Sequence, residues 1–584
     1  MMKTVLIGIN AKYIHSNLAI RCLKEYALRW HSLSIELQEF TINQHIPDIL
    51  AQLYRTKPDI LGFSCYLWNY EMVKRLTQEL KKILPKTVIF LGGPEVTFHP
   101  KEVLETTSAD FVLMGEGEKS CSLLIQALEQ GGDFHHIPGI AFWENGSVVI
   151  RSGDAPLEMD TIPFVYEKET MADLEHKILY YESTRGCPFQ CQYCLSGHGE
   201  KVRFRSLEQV FEHLDFFLNN RVRQVKFVDR TFNCRKDYAL AIWRYLKEHD
   251  NGYTNFHFEI AAELLDEEIL NFLSTVRKGY FQFEIGVQST HPLTLEHIKR
   301  RTDLTLLRSI VDRLKSGGNI HLHLDLIIGL PYESYQQFQT SFNDVYSLHP
   351  DQLQVGFLKL LRGSGLYENR EKYGIVSSDW APYEVLYTPW LSYEDLLRLK
   401  GVEEMVEVYY NSNRFQKLLS YLMEFFSSPF AFFQSLAEYY IQNGLHEKAH
   451  SQVEYYTILF EFSKSLPGWD ETRFQWLAKF DLYSHEKAKK LPSWLTVSQN
   501  DIYKNRIFDF YDDRENRDQY LREYPPMDTK QLIRMAHIEV FPFDPDTENP
   551  GDTPVLFNYQ NCDILGNAHH EIISLPPEQE RRSL

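Results

Sequence analysis

The chain has 584 residues, with 61 Lys and Arg against 80 Asp and Glu, a net charge of −19 and eight cysteines. Its length implies roughly three or four domains, each able to bury a core, and its acidity excludes broad electrostatic attraction to nucleic acid or an anionic membrane, leaving only local basic patches. Eight cysteines in such a chain are no disulfide framework, Met1-Met2-Lys3 leads into a strand rather than a secretory signal, and the most apolar later stretch, residues 421–442, carries Glu424, Pro429 and Glu438 and reads as buried helices rather than a membrane span. A soluble cytoplasmic protein is expected.

From residue 3 to about 130, short β-rich runs alternate with helical patterns. Thr4-Val5-Leu6-Ile7-Gly8-Ile9-Asn10 reads as a buried strand, and Leu18, Cys22, Leu23 and Tyr26 then recur at helical spacing. The strand signal returns at 34–40, 59–65, 87–91 and 110–114, with helices between, notably over 70–83. Five such units predict a doubly wound, flavodoxin-like parallel sheet. Ligands of such sheets lie beyond the carboxyl ends of the strands. Those ends carry the conspicuous residues: 10–17 with His15 and Ser16, then Ser64-Cys65-Tyr66-Leu67-Trp68-Asn69, Gly92-Gly93-Pro94-Glu95 and Gly115-Glu116-Gly117-Glu118. Glycines there let a backbone approach a bulky ligand closely. Taken alone, Gly92-Gly93 reads as a tight turn, and for His15 a capping or core role stands beside ligand contact.

Residues 131–177 form a connector. Ile140-Ala141-Phe142-Trp143-Glu144-Asn145-Gly146-Ser147-Val148-Val149-Ile150 reads as a hairpin turning at Asn-Gly, and Pro156, Pro163 and the charged run Glu167-Lys168-Glu169 mark a linker. The apolar run Ile178-Leu179-Tyr180-Tyr181 and the loop Glu182-Ser183-Thr184-Arg185-Gly186 then lead into Cys187-Pro188-Phe189-Gln190-Cys191-Gln192-Tyr193-Cys194. Three cysteines cannot complete a four-cysteine zinc or cluster site. They can hold three irons of a [4Fe-4S] cube and leave the fourth open to a substrate-like ligand, which points to catalysis rather than plain electron transfer. Such an oxygen-sensitive site belongs in a reducing cytosol.

From 178 to about 366 the βα alternation resumes, with strands expected at 224–228, 255–261, 280–286, 321–329 and 352–360 and helices at 207–218, 265–274 and 304–316. With the strand before Cys187 this makes about six βα units, too few to close an eight-stranded barrel. After 366 the pattern changes. Ser392-Tyr393-Glu394-Asp395 resembles a capping box with Asp in the usual Glu position, and Leu396, Leu399, Val402, Val406 and Tyr409 then follow one helical face. Aromatic-rich helices continue to Leu466-Pro467-Gly468; beyond lie a helical stretch at 472–488 and strand-like runs at 536–541 and 553–559. These aromatics read as core, and His569-His570 reads as an exposed pair rather than a metal site.

The cysteine stretch resembles the CxxxCxΦC motif of the radical S-adenosylmethionine enzymes, with Tyr193 as the aromatic residue. The resemblance implies that Cys187, Cys191 and Cys194 hold the cluster and are both the catalytic and the metal-ligating residues. It also implies that S-adenosylmethionine chelates the open iron and is cleaved to a 5′-deoxyadenosyl radical, and that the six units form the family's partial (β/α)6 barrel. Val228-Asp229-Arg230-Thr231 stands where the family's motif for the methionyl amino group falls, without its glycines. Glu259, Gln288, Arg300 and Asp325 resemble cosubstrate positions of the coproporphyrinogen-oxidase-like branch. Carboxylates and an amide suit ribose hydroxyls and an ammonium, and Arg300 suits the methionyl carboxylate; each alone reads equally as a surface ion pair.

Ahead of the motif, the four loops look like the cobalamin-binding domain of the cobalamin-dependent subfamily. That likeness implies cofactor contacts from His15, Ser16, Ser64, Tyr66, Leu67, Trp68, Gly92, Gly93, Glu95, Gly115, Glu116 and Gly117. Asp-x-His-x-x-Gly is absent, so no histidine is expected to rise to the cobalt, and Tyr66, Leu67 and Trp68 are the candidates for lining its lower face. The last portion resembles the uncharacterised C-terminal domain of one group of cobalamin-binding radical proteins. The expected organisation is a cobalamin-binding domain at 1–130, a connector at 131–177, the partial barrel at 178–366 and a mainly helical domain at 367–584 that covers the substrate site. The resemblance implies a methyltransferase acting on an unactivated centre; a small-molecule substrate is expected in preference to a macromolecule, with an electron donor such as flavodoxin or ferredoxin, no membrane partner, and nucleic acid disfavoured by the net charge. Cobalamin-assisted rearrangement without methyl transfer and a non-catalytic cobalamin or redox sensor stand as alternatives.

Overall fold

The computed structural model describes residues 2–167, 174–196, 201–488, 490–562 and 566–577, so Lys168 and Glu169 of the expected linker lie outside the described residues. The chain divides into two units, one formed by Met1–Ser341 with Gly356–Leu396 and the other by Phe342–Val355 with Leu397–Leu584.

The first unit opens with β1 (Lys3–Asn10), β2 (Ser34–Thr41), β3 (Ile60–Ser64), β4 (Val88–Gly92) and β5 (Phe111–Leu113), paired in parallel in the order β2-β1-β3-β4-β5. The order reverses between β1 and β3, which is the flavodoxin-like switch point. Alternate residues of β1 serve different cores. Val5, Ile7 and Ile9 pack with Leu61 and Phe63 and with Ile49 and Leu76, which come from the helices Ile46–Thr56 and Tyr70–Ile83. Leu6 packs instead with Ile60 and Phe90 and with Ile20 and Leu124, from the helices Leu18–Trp30 and Gly117–Gln130. The two-residue period of a strand thus recruits helices to both faces, and a strand buried on both faces reads as a continuous apolar run.

The expected hairpin forms as β6 (Ile140–Glu144) and β7 (Ser147–Ile150). Asn145 and Gly146 at its tip have φ of 47° and 78°, the left-handed pair that a type I′ turn requires. Instead of standing free in a connector, the hairpin extends the sheet antiparallel from β5, with Phe111 opposite Phe142 and Leu113 opposite Ile140. It covers an edge that β5 would otherwise expose.

Next come β8 (Leu179–Tyr181), the short antiparallel pair β9 (Thr184–Arg185) and β10 (Arg203–Phe204), then β11 (Gln224–Phe227), β12 (Asn255–Ile260), β13 (Phe281–Gln288), β14 (His321–Ile328) and β15 (Gln352–Phe357). The second large sheet runs β15-β14-β13-β12-β11-β8 and does not close, as six strands predict. Its residues alternate by chemistry. Val225, Phe227, Phe256, Phe258, Phe281, Phe283, Leu322 and Leu324 are fully buried. The residues between them, Lys226, His257, Glu259, Gln282, Glu284, His323 and Asp325, share the opposite face.

The second unit carries the helices Gln416–Met423, Pro429–Gln442, Gln452–Ser463, Glu471–Tyr483, Asn500–Asp512, Arg514–Tyr520 and Thr529–Met535. A three-stranded antiparallel sheet follows, made by His537–Phe543, Pro550–Cys562 and Ala568–Ile572. Its third strand, which the sequence does not signal, holds His569, exposed and paired with Glu571, and His570, set edge-on to Phe480. No helix among the described residues is long and apolar enough to cross a membrane.

Candidate functional site

The site is built in the first unit, where the two sheets meet at the carboxyl ends of their strands. β8 ends at Tyr181, and the β9/β10 pair then turns the chain at Gly186, whose φ is +98° and where a Cβ would stand 3.3 Å from Val202 Cα. The cysteine loop follows. Cys194 N donates to Cys191 O at 3.1 Å and Ser196 N to Cys194 Sγ at 3.4 Å, and Cys187 Sγ lies 3.5 Å from Thr231 Oγ1. The loop is stitched down on two sides: Gln192 N donates to Ile298 O, and Leu366 N donates to Gln192 O, at 2.9 and 2.7 Å. Among the described residues no three His, Cys, Asp or Glu side chains converge on a single-ion site. Each thiolate of a cube binds its own iron, so the three need not converge on one point.

The strand ends beside this loop hold the other expected residues. At the bulge between Gly286 and Gln288, Gln288 takes a φ of +73°, and a Cβ at Gly286 would meet its side chain at 2.2 Å. Glycine at 286 is what lets Gln288 fold inward. Arg300 Nη2 donates to Gly286 O at 2.5 Å. Gln288 Oε1, Arg300 Nε and Asp325 Oδ1 are all buried without a hydrogen-bond partner. Tyr193, partly buried, lies beside Arg300 and Cys191. Burial, with the Glu284 charge behind it, pushes Glu259 up to about 7, and the same causes push Asp325 well up. Asp229 stands apart from this group: its two oxygens accept from Ser183 N and Ser183 Oγ at 3.2 and 2.8 Å, shaping the loop that leads to the cysteines, and burial raises it to about 6.

Sequence reasoning missed the polar layer below. Glu284 accepts from Lys226 Nζ at 2.9 Å and contacts His257 Nε2 at 2.8 Å, and His323 Nε2 meets His321 Nδ1 at 2.7 Å. Burial opposes the charge on Glu284, yet His257 and Lys226 outweigh it and hold the carboxyl well below its ordinary range. The signal was readable: polar residues at every second position of strands that a covered parallel sheet would otherwise fill with apolar ones.

At the rim of the first sheet, a knot of side chains fills the switch point. Asn17 caps its helix by accepting from Ile20 N, and it donates to Asn10 Oδ1 and Ser64 Oγ, both at 3.2 Å. Ser64 Oγ in turn donates to Ile7 O. Ser16 Oγ donates to Ile178 O at 3.0 Å, and His15 Nδ1 meets the Tyr180 hydroxyl at 2.7 Å, so these two latch the rim to β8. Tyr66 stacks on Trp68 with ring centroids 4.5 Å apart, Trp68 Nε1 donates to Ile9 O, and Leu67 is half-buried. Gly93 is needed by packing, since a Cβ there would stand 2.5 Å from Cys65 O, while Gly92 is under no such constraint. Gly115, with φ +69°, has open space where a Cβ would project, and Gly117 begins the next helix. Tyr13, Ile14, Trp68 and Phe98 expose large apolar surface along this rim.

Further side-chain contacts tie the rim to the rest of the first unit. Glu95 is buried and accepts from the Tyr383 hydroxyl at 2.5 Å, burial raising its pKa. Arg185, one residue before the turn into the cysteines, bonds Glu118 at 2.5 Å and Glu116 at 3.3 Å, and Arg203 also bonds Glu116. His15, Ser16, Glu95 and Glu116 are therefore brought to the junction between the sheets.

Residues 4–125 match the family model of the B12 binding domain, residues 181–345 that of the Radical SAM superfamily, and residues 371–557 a protein of unknown function, DUF4080. The chain thus joins a B12-binding domain, a radical SAM domain and a DUF4080 region. Among relatives, it is 27% identical over 335 residues to the uncharacterized methyltransferase PH0819 of Pyrococcus horikoshii, covering 55% of this chain and 71% of that one. It is also 27% identical over 350 residues to the cobalamin-dependent radical SAM methyltransferase TokK of Streptomyces tokunonensis, covering 55% of this chain and half (50%) of TokK. Its fold is that of the methyltransferase TsrM from Kitasatospora setae, solved with cobalamin and a [4Fe-4S] cluster bound, at a TM-score of 0.56 and 15% identity over 66% of this chain and 82% of that one.

The residues present fit this family's cofactors: cobalamin, S-adenosylmethionine and a [4Fe-4S] cluster. Three orphaned polar atoms beside the thiols leave a hydroxyl- and charge-bearing ligand its partners, and an exposed apolar rim with an open glycine suits a broad macrocycle.

Proposed function

We propose that this chain is a cobalamin-dependent radical S-adenosylmethionine methyltransferase that acts on an unactivated centre of a small molecule, fed by an electron donor such as flavodoxin or ferredoxin. The observation that carries the reading is Arg185, which ties the loop entering the three cysteines to Glu116 and Glu118 at the cobalamin-type rim. Cys187, Cys191 and Cys194 would hold the cluster. Gln288, Arg300, Asp325 and Glu259 would hold the cosubstrate, while Tyr66, Leu67, Trp68 and Gly115 would face the corrin. When bound, these groups supply hydrogen-atom abstraction and a transferable methyl. The chain's own part is to hold one substrate atom within reach of both and away from water, which is the work of a sealed junction.

Incubating the reconstituted chain with cell extract and methyl-labelled S-adenosylmethionine tests the proposal. A small molecule that gains label supports it; cosubstrate cleavage with no label transferred would favour a rearrangement instead.

Two narrower results are expected. Because the sequence has no Asp-x-His-x-x-Gly, bound cob(II)alamin should show no electron paramagnetic splitting from a protein nitrogen, and H15A should leave the spectrum unchanged. A splitting that vanished in H15A would reverse the assignment. The second concerns Glu259, raised to about 7 by burial. An ammonium group prefers the ionised carboxylate, so below that pH binding must first expel a proton. Affinity for S-adenosylmethionine should fall by up to about tenfold per pH unit on going from 7 towards 6, and E259Q should flatten the profile. A wild-type affinity constant between pH 6 and 8 would remove Glu259 from the site.

A further inference from the structure

The second unit contains a pocket of about 460 Å³ between the helix Asn500–Asp512 and the segment leading from the helix Thr529–Met535 into the strand His537–Phe543. That volume lies within the roughly 300–1,000 Å³ of small-molecule sites. Its walls are largely apolar, with Ile507, Ile533 and Ile538 among them, and Tyr511 is 1% exposed yet lines the cavity.

Two donors there lack acceptors. The Tyr511 hydroxyl is buried with no hydrogen-bond partner. The Lys487 ammonium donates to Ala536 O at 2.7 Å and to Ile533 O, at the carboxyl end of the helix Thr529–Met535, which leaves one of its three N–H groups without a protein acceptor among the described residues. A stranded hydroxyl and a stranded ammonium proton in one cavity call for a ligand that accepts. The charges agree in sign, because two lysines, Lys487 and Lys504, line the pocket against one acid, Asp501.

We propose that this pocket binds a small organic anion, a carboxylate on a short apolar body, with the carboxylate held by Lys487 and Tyr511. Burial lowers the Lys487 pKa to about 8, so the ammonium is already partly stripped of water and an anion would restore its solvation. The inference is independent of the radical chemistry of the first unit.

The test uses the full-length chain and three probes of matched length, hexanoate, 1-hexanol and hexylammonium, followed by calorimetry. Hexanoate should bind saturably at one site, and the alcohol and the amine should not. Y511F should weaken hexanoate about tenfold, the loss of one hydrogen bond to a charged group. It should leave the melting temperature of the empty chain unchanged or higher, because the hydroxyl has no protein partner to lose. K487M should weaken hexanoate further. Equal binding of all three probes, no hexanoate binding, or an affinity unmoved by Y511F would overturn the proposal. A melting temperature several degrees lower in empty Y511F would also do so, since the hydroxyl would then be holding a structural water.

Discussion

Replacing Cys187, Cys191 and Cys194 together by alanine is expected to remove about four irons per reconstituted chain, the content of one [4Fe-4S] cube, and with them all cleavage of S-adenosylmethionine. The other five thiols cannot substitute. Cys22, Cys65 and Cys121 are sealed in the core of the first sheet, where burial pushes their pKa values well up, and burial pushes Cys234 up to about 11. A thiol that resists ionisation is a poor iron ligand. Cys562 belongs to the second unit. The loop itself is held by main-chain bonds of Gln192 to Ile298 and Leu366, so the triple variant should keep its circular dichroism. Iron analysis after anaerobic reconstitution checks the result, and an unchanged iron content would sink the assignment of the cluster.

The second large effect is expected at Arg185. Its guanidinium is only 15% exposed and bonds Glu118, whose side chain is 6% exposed, as well as Glu116 and Glu182. R185M would strand Glu118 in a poorly solvated junction, while Glu116 keeps Arg203. Removing one partner of such a buried network costs about 3–5 kcal/mol, more than the pair contributes relative to apolar residues, because the remaining charge keeps its desolvation cost. R185M should therefore lower the urea midpoint and lose bound cobalamin together, since the same contact joins rim and barrel. Adding E118Q should restore part of the stability by removing a stranded charge. An R185M chain within about 0.5 kcal/mol of wild type, the range of an ordinary surface change, would mean that the junction does not depend on this ion pair.

Much of this was legible in residues close together in sequence. The continuous apolar run of β1, the Asn-Gly hairpin and the capping box at Ser392, where Ser392 and Asp395 do bond each other, all rest on local rules of period and turn. Lys226, His257, Glu284 and His323, on the polar face of the second large sheet, follow a period of two that is readable in the sequence. Arg185 stands in its loop with nothing local to mark its role. Its partners lie 67 and 69 positions earlier, and no pattern within one segment links them.

The sequence by itself determined most element types, the parallel strands of the two large sheets and the three-cysteine loop, because helical and strand periods and a cysteine spacing are properties of a single stretch of chain. Tertiary structure alone decided how the candidate residues divide. Asp229 turned to Ser183, His15 and Ser16 to β8, and Glu95 to Tyr383, while Gln288, Arg300 and Asp325 kept buried polar atoms free. The reason is physical. A buried polar group must find a partner, and whether that partner is another part of the chain or a ligand depends on which distant segments the packing brings within about 3 Å.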